Sequence, residues 1–120
     1  MEASATALRS PLGRITISTG AIAQIVGRTV DECYGVVALA SRSWRRGARL
    51  LPRTRPLQGI SVTDDGGGVA IDLHVVVEYG LNLAEVASTV RSRVTYEVER
   101  LTGLAVASVD VHIQDVRRSA

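Results

Sequence analysis

The chain has 120 residues, a formal net charge of +2 and a hydrophobic fraction of 46%. This length suits one domain, which can bury roughly two-thirds of the surface that its unfolded chain exposes. Cys33 is the only cysteine, which excludes an intramolecular disulfide and a cysteine metal cluster. No apolar run approaches the roughly 18 residues that cross a bilayer, and residues 1–12 lack a signal-peptide core. We therefore expect a cytoplasmic protein.

The first part of the chain predicts a flexible tail, a strand and a helix. Residues 1–12 show no periodicity and read as the tail. Arg14–Ile17 alternates as a short strand does, and Ser18 or Thr19 can then cap a helix that runs to about Cys33. The apolar positions of this helix form one stripe, which is Ile22, Ile25, Val26, Val30 and Cys33.

Three strands and a loop are predicted next. Val36–Ala40 and Gln58–Thr63 are short apolar runs, and residues 64–68 have the composition of a hairpin turn. The strand after the turn alternates clearly over residues 69–79. One face carries Val69, Ile71, Leu73, Val75, Val77 and Tyr79, and the other carries Ala70, Asp72, His74, Val76 and Glu78.

A second helix and a last strand complete the chain. Asn82 can cap the helix, with Glu85 at the spacing of a capping box, and Gly103 suits its end. Val106–Val116 reads as the last strand. The apolar stripe of the helix is Leu83, Val86, Ala87, Val90, Val94, Val98 and Leu101.

These elements predict an α+β fold in two layers. One-sided helices and strands bury each other most simply when both helices lie on one face of a mixed sheet of about five strands. The predicted order is β-α-β-β-β-α-β, within a single domain over residues 13–116. A loop over residues 42–57 interrupts the domain, and residues 117–120 form a C-terminal tail.

Four segments resemble the bacterial alkaline shock protein family, also called the envelope stress response family. They are Gly13–Ser18, Val30–Val37, Leu73–Gly80 and Val94–Val111, and their order and spacing are similar to that family over residues 13–116. The resemblance implies a cytoplasmic, non-enzymatic stress protein. It also implies that some members are held at the membrane by a small anchor protein and that some self-associate.

An arginine-rich segment is the candidate binding site. It carries six arginines and no acid, whereas the rest of the chain has eight arginines against twelve acids. Such a cluster suits an anionic membrane surface or an acidic protein, and it equally suits nucleic-acid phosphates with a tryptophan stacked on a base. A solvated loop is the plain alternative. The candidate residues are Arg42, Trp44, Arg45, Arg46, Arg49, Arg53 and Arg55.

A second candidate site lies on the outer face of the sheet. If the strand containing Asp72 and His74 pairs in register with the strand containing Asp110 and His112, the four side chains converge. They could then hold a divalent metal or sense pH. The alternatives are an ordinary solvated face or, with Val76 exposed, a contact with another subunit.

No catalytic group emerges from the sequence. Cys33 lies on an apolar helix stripe and reads as a small buried residue, and Gly66–Gly68 precede a strand where a phosphate loop would precede a helix. We therefore predict a non-enzymatic scaffold or interaction module that acts near the membrane, without a cofactor or a small-molecule substrate. The expected partners are a membrane-anchor protein or an anionic membrane surface, together with self-association. A nucleic-acid-binding module is the alternative.

Overall fold

The computed structural model describes residues 5–10, 13–40 and 59–118. The predicted loop at 42–57 falls outside these residues. In chain order the elements are β1 (Ala5–Ser10), β2 (Gly13–Ser18), α1 (Thr19–Asp31), β3 (Val36–Leu39), β4 (Ile60–Asp64), β5 (Val69–Glu78), α2 (Leu83–Thr102) and β6 (Val106–Arg117).

β5 is the central strand of the main sheet. β6 runs parallel to it along one edge, and α2 supplies the crossover that a parallel pair requires. The other edge of β5 is shared, because β4 pairs antiparallel with its first half and β3 with its second half. β1 and β2 form a separate antiparallel hairpin that leads into α1.

The core lies between the two helices and one face of β5. Each helix contributes one apolar stripe, and alternate residues of β5 point toward both stripes. This arrangement confirms the predicted α+β fold with both helices on one face, and the order β-α-β-β-β-α-β holds from β2 onward. The residues that meet are Ile22, Val26 and Val30 of α1, Val86, Val90, Val94 and Val98 of α2, and Val69, Ile71, Leu73, Val75 and Val77 of β5.

The start of the chain differs from the prediction. β1 occupies six residues of the predicted flexible tail, where the side chains are mostly small or polar and show no apolar alternation. Its strand geometry comes from backbone pairing with β2, from Ala5 opposite Ser18 to Ser10 opposite Gly13. A pattern search based on side chains cannot detect such a strand, so the prediction of a tail without structure was wrong here.

The buried stripe of α2 also differs at its ends. Buried positions recur every four residues from Val86 to Thr102, whereas Leu101 is 54% exposed and Leu83 is also exposed. Thr102 is buried because its hydroxyl donates to the Val98 carbonyl at 2.6 Å and accepts from the Leu104 N–H at 3.1 Å. A hydropathy pattern assigned the last core position to Leu101 because it could not foresee a buried threonine.

Both helix starts are capped as predicted. The Ser18 hydroxyl accepts the Ala21 N–H at 3.0 Å, and the Asn82 side chain accepts the Glu85 N–H, also at 3.0 Å. At the other end of α2, Gly103 takes the left-handed conformation with φ of 75°.

The cap of α2 gives a first prediction. Asn82→Ala removes the acceptor for an otherwise unpaired helix N–H, so we expect the free energy of unfolding to fall by about 1 kcal/mol. Urea denaturation measures this change. Asn82→Asp keeps an acceptor oxygen and serves as the control. An equal loss in both variants would contradict the capping role of this side chain.

Candidate functional site

The arginine-rich segment is anchored at one residue of the central strand. The Ala40 N–H donates to the His74 carbonyl at 2.8 Å, and the His74 N–H donates to the Gly59 carbonyl at 2.9 Å. The two residues that flank the segment, Ala40 and Gly59, therefore bond to the same point of β5. The seven candidate residues between these two positions, from Arg42 to Arg55, lie outside the described residues.

The two flanks of this segment are in close contact. Gly59 has a φ of +88°, and a Cβ placed on it would lie 2.2 Å from the Ala40 carbonyl oxygen. Only glycine fits such an approach in this backbone conformation. The sequence prediction placed Gly59 inside an ordinary strand. A glycine that directly follows a segment rich in proline and arginine is the signal that could have marked it as a closure point.

The second candidate site converges as the register hypothesis required. β5 and β6 pair so that Asp72 lies opposite Asp110 and His74 lies opposite His112. The two imidazole rings are stacked, with centroids 4.6 Å apart and an interplanar angle of 14°. His112 Nε2 lies 3.4 Å from Asp72 Oδ1, so the Asp72 carboxylate contacts the His112 ring.

His74 is the more enclosed member of the pair, with 8% of its surface exposed. Gln114 Nε2 lies 2.8 Å from its Nδ1, within hydrogen-bond distance. Gln114 was not among the predicted site residues, although the alternation of β6 places it on the same outer face as Asp110 and His112. The cluster is thus bound together by stacking and hydrogen bonds.

The described residues give the metal hypothesis no support. Within residues 5–10, 13–40 and 59–118, no group of three or more histidine, cysteine or acidic side chains is arranged to hold a metal ion. The stacked rings of His74 and His112 present parallel faces to each other, whereas metal ligands point their lone pairs at a common centre.

The structure corrects one part of the subunit-contact alternative for the outer face. Val76 was predicted to be exposed there, yet it is fully buried. It sits in the middle of three paired strands, opposite Ala38 of β3 on one side and Asp115 of β6 on the other. The outer face is therefore buried at His74 and Val76 of the central strand and open along β6, where Asp110 and His112 are exposed.

Cys33 has the properties of a core residue. Its side chain is buried, and its Sγ donates to the Thr29 carbonyl at 3.3 Å. Burial raises the pKa of the Cys33 thiol, the nearby Arg93 charge lowers it, and Glu32 raises it. The group therefore stays a thiol at neutral pH, which is the less nucleophilic form.

Comparison with known proteins places the chain in a family. The model of the alkaline shock protein 23 family, described as having a cell envelope-related function, matches residues 7–118. The chain belongs to this family. The assignment confirms the resemblance to alkaline shock proteins that the four segments indicated. No solved structure matches the chain.

The relatives of this alkaline shock family member include uncharacterized proteins and stress regulators. The chain is 36% identical over 112 residues to the uncharacterized protein YloU of Bacillus subtilis, covering 92% of this chain and 93% of YloU. It is 31% identical over 107 residues to the uncharacterized protein Spy1614 of Streptococcus pyogenes, covering 88% of each. A stress response regulator gls24 homolog of Streptococcus pyogenes is 27% identical over 106 residues, which span 59% of that relative.

These matches make the protein a cell envelope-related member of a family that includes stress response regulators. In the part of the chain that the structure describes, neither helix is long and apolar enough to cross a membrane.

Proposed function

We propose that this alkaline shock family protein is a non-enzymatic interaction module of the cell-envelope stress response. It acts at the inner face of the membrane, where the arginine-rich segment contacts anionic lipid. The observation that carries the proposal is the anchoring of both flanks of that segment at His74. The two ends of the segment that carries the six arginines are therefore held at the same point of the sheet.

The distribution of charge supports a directed contact. With the six arginines of the segment set apart, the remaining chain has four more acids than arginines. A molecule with one basic pole and an acidic body orients itself on a negative surface, because the pole is attracted and the body is repelled. Each basic residue near an anionic leaflet contributes about 1 kcal/mol.

The family and the state of the reactive side chains support a role without catalysis. The relatives in the comparison are named as stress regulators or as uncharacterized proteins, and neither name states an enzymatic activity. The Cys33 thiol is buried with a raised pKa. His74 and His112 are engaged with each other and with the side chains of Gln114 and Asp72.

Trp44 provides a direct test, because it is the only tryptophan and lies inside the segment. We expect its fluorescence to shift to the blue when vesicles rich in phosphatidylglycerol are added, and to stay unchanged with phosphatidylcholine vesicles. Arg45→Gln with Arg46→Gln removes two charges and should weaken vesicle binding about 30-fold, the equivalent of about 2 kcal/mol.

The matched control removes two charges elsewhere. Arg28 and Arg91 are exposed on the two helices, and changing both to glutamine alters the net charge by the same amount. Binding by this control should fall by less than about threefold, since the charges lie outside the proposed contact. Equal losses in both variants would show that only net charge matters. Binding of RNA that depends on Arg45 and Arg46, with no response to lipid, would replace the proposal with a nucleic-acid module.

A further inference from the structure

The outer edge of β6 carries backbone groups that no described residue pairs with. β6 is twelve residues long, and within the described part of the chain it forms a ladder with β5 alone. A long open edge is a template for another strand, and natural proteins usually shorten, cover or interrupt such edges. The question is which of its N–H and C=O groups face outward.

The hydrogen bonds of β5 settle that direction. The N–H groups of Val69, at the start of β5, and of Tyr79, just after its end, donate to the Ala105 and Arg117 carbonyls, so the odd-numbered residues of β5 bond toward β6. His74 bonds to the opposite side. In a parallel ladder, the residue directly opposite an inward-bonding residue points its own N–H and C=O away. On β6 these outward residues are Val109, Val111 and Ile113, opposite Ile71, Leu73 and Val75.

Side-chain carboxylates close both ends of this open stretch. Glu99 Oε2 accepts the Val106 N–H at 3.0 Å, and Asp115 Oδ1 accepts the Val116 N–H at 2.9 Å. Val106 and Val116 lie at equal sequence distances on either side of Val111. The available edge is thus a short segment with Val111 at its centre and a capped donor at each end.

We infer that β6 pairs antiparallel with β6 of a second copy, about a two-fold axis at Val111. The inference rests on the proposed role as an interaction module and names its partner as the chain itself. Val111 lies opposite Val111 of the second copy, and Val109 lies opposite Ile113. Because all three residues point their backbone groups outward, each finds a complete partner in this register. The two sheets become one continuous sheet.

The side chains on the outer face fit the same register. Asp110 of one copy lies directly opposite His112 of the other, and the symmetry repeats the pair. Cross-strand pairs of opposite charge stabilise a sheet, whereas like charges placed directly opposite each other destabilise it. His112 already contacts Asp72 of its own chain, so its ring lies between two carboxylates in the dimer.

Apolar surface beside the edge also becomes covered. Val111 and Ile113 point toward the helix layer but are only partly buried, whereas their neighbours on β5 are fully buried. Tyr96 of α2 is exposed at an open cleft next to Val109 and Asp110. A second copy at this edge buries these side chains without any change in the fold.

Cysteine cross-linking tests the register. In the inferred dimer the two Val111 Cα atoms lie about 5.5 Å apart, within the range of a disulfide. The two Ser108 residues lie six positions apart along paired strands, roughly 20 Å. We therefore expect V111C to form a covalent dimer under mild oxidation and S108C to remain monomeric on denaturing gels. The wild-type chain, whose Cys33 is buried, is the background control.

Random collision favours the opposite outcome, because Ser108 is exposed and Val111 is partly buried. Cross-linking of S108C at an equal rate, or failure of V111C to cross-link, overturns the inference. Assemblies larger than a dimer without V111C cross-linking would place another strand, such as β1 of a second copy, at this edge. That result also overturns it.

A charge-swap series provides a second test with exposed side chains. His112→Asp places an aspartate opposite Asp110 of the other copy, twice in the dimer. This repulsion should weaken dimerisation at least tenfold in sedimentation equilibrium. Adding Asp110→Arg restores opposite charges and should recover most of that loss. A dimer unaffected by His112→Asp, or one that the second change does not recover, contradicts the register. If a variant that stays monomeric still binds vesicles, membrane binding does not depend on the dimer. If V111C cross-links but the protein does not bind vesicles, the dimer is supported and the proposed function is contradicted.

Discussion

Leu73→Ala is expected to lower the free energy of unfolding by about 3 kcal/mol. Leu73 is fully buried at the middle of β5, between Ile60 of β4 and Val111 of β6. Truncation removes three carbon atoms from a core made almost entirely of branched aliphatic side chains. Such side chains have few rotamers with which to fill the space, so most of the cavity should remain. Urea denaturation with an unchanged m-value measures this loss.

Leu101→Ala is the matched control, since the same atoms are removed from an exposed position of α2. We expect a loss below about 0.5 kcal/mol, because little apolar surface is taken from the core and alanine is a good helix former. The sequence pattern alone places both leucines in the core and predicts equal losses. Similar values for the two variants would therefore favour the pattern over the structure.

The fold could be predicted because local signals and burial agree. Helix α1 starts at a serine that caps it, α2 runs from an asparagine cap to a left-handed glycine, and the first half of β5 alternates in burial as it does in sequence. Each signal is physical and short in range. β1 could not be predicted, because its side chains show no apolar alternation and its geometry depends on pairing with β2. Thr102 was missed because side-chain hydrogen bonds, not hydropathy, decide its burial.

The candidate sites were predictable to different degrees. The convergence of His74 with His112 followed from the sequence once an in-register pair was assumed, and the structure confirms that register. The ring stacking and the contact of Gln114 with His74 depend on how these side chains are oriented within that register, which no sequence pattern indicated. The arginine-rich segment was visible from charge alone, yet its anchoring depends on two hydrogen bonds to one backbone residue.

Gly59→Ala is the second large prediction, and we expect it to cost about 3 kcal/mol. The backbone at Gly59 has a φ of +88°, which costs a side-chain-bearing residue on the order of 1 kcal/mol. The larger part comes from contact, because the new Cβ would lie 2.2 Å from the Ala40 carbonyl oxygen. That atom is backbone and cannot rotate away. The two flanks of the arginine-rich segment must then separate, and the hydrogen bonds that both make with His74 weaken.

Gly66→Ala separates the two contributions. Gly66 has nearly the same φ, +89°, but no other atom lies within 4 Å of the Cβ position. It should therefore lose only about 1 kcal/mol, the cost of the backbone conformation. Amide hydrogen exchange gives the local readout, since the Ala40 and His74 N–H groups should lose protection in Gly59→Ala and keep it in Gly66→Ala. Equal losses of stability and unchanged protection in both variants would mean that the flanks are not held together at His74. The binding segment would then have no fixed base on the sheet, and the physical support for a localised basic contact would be gone.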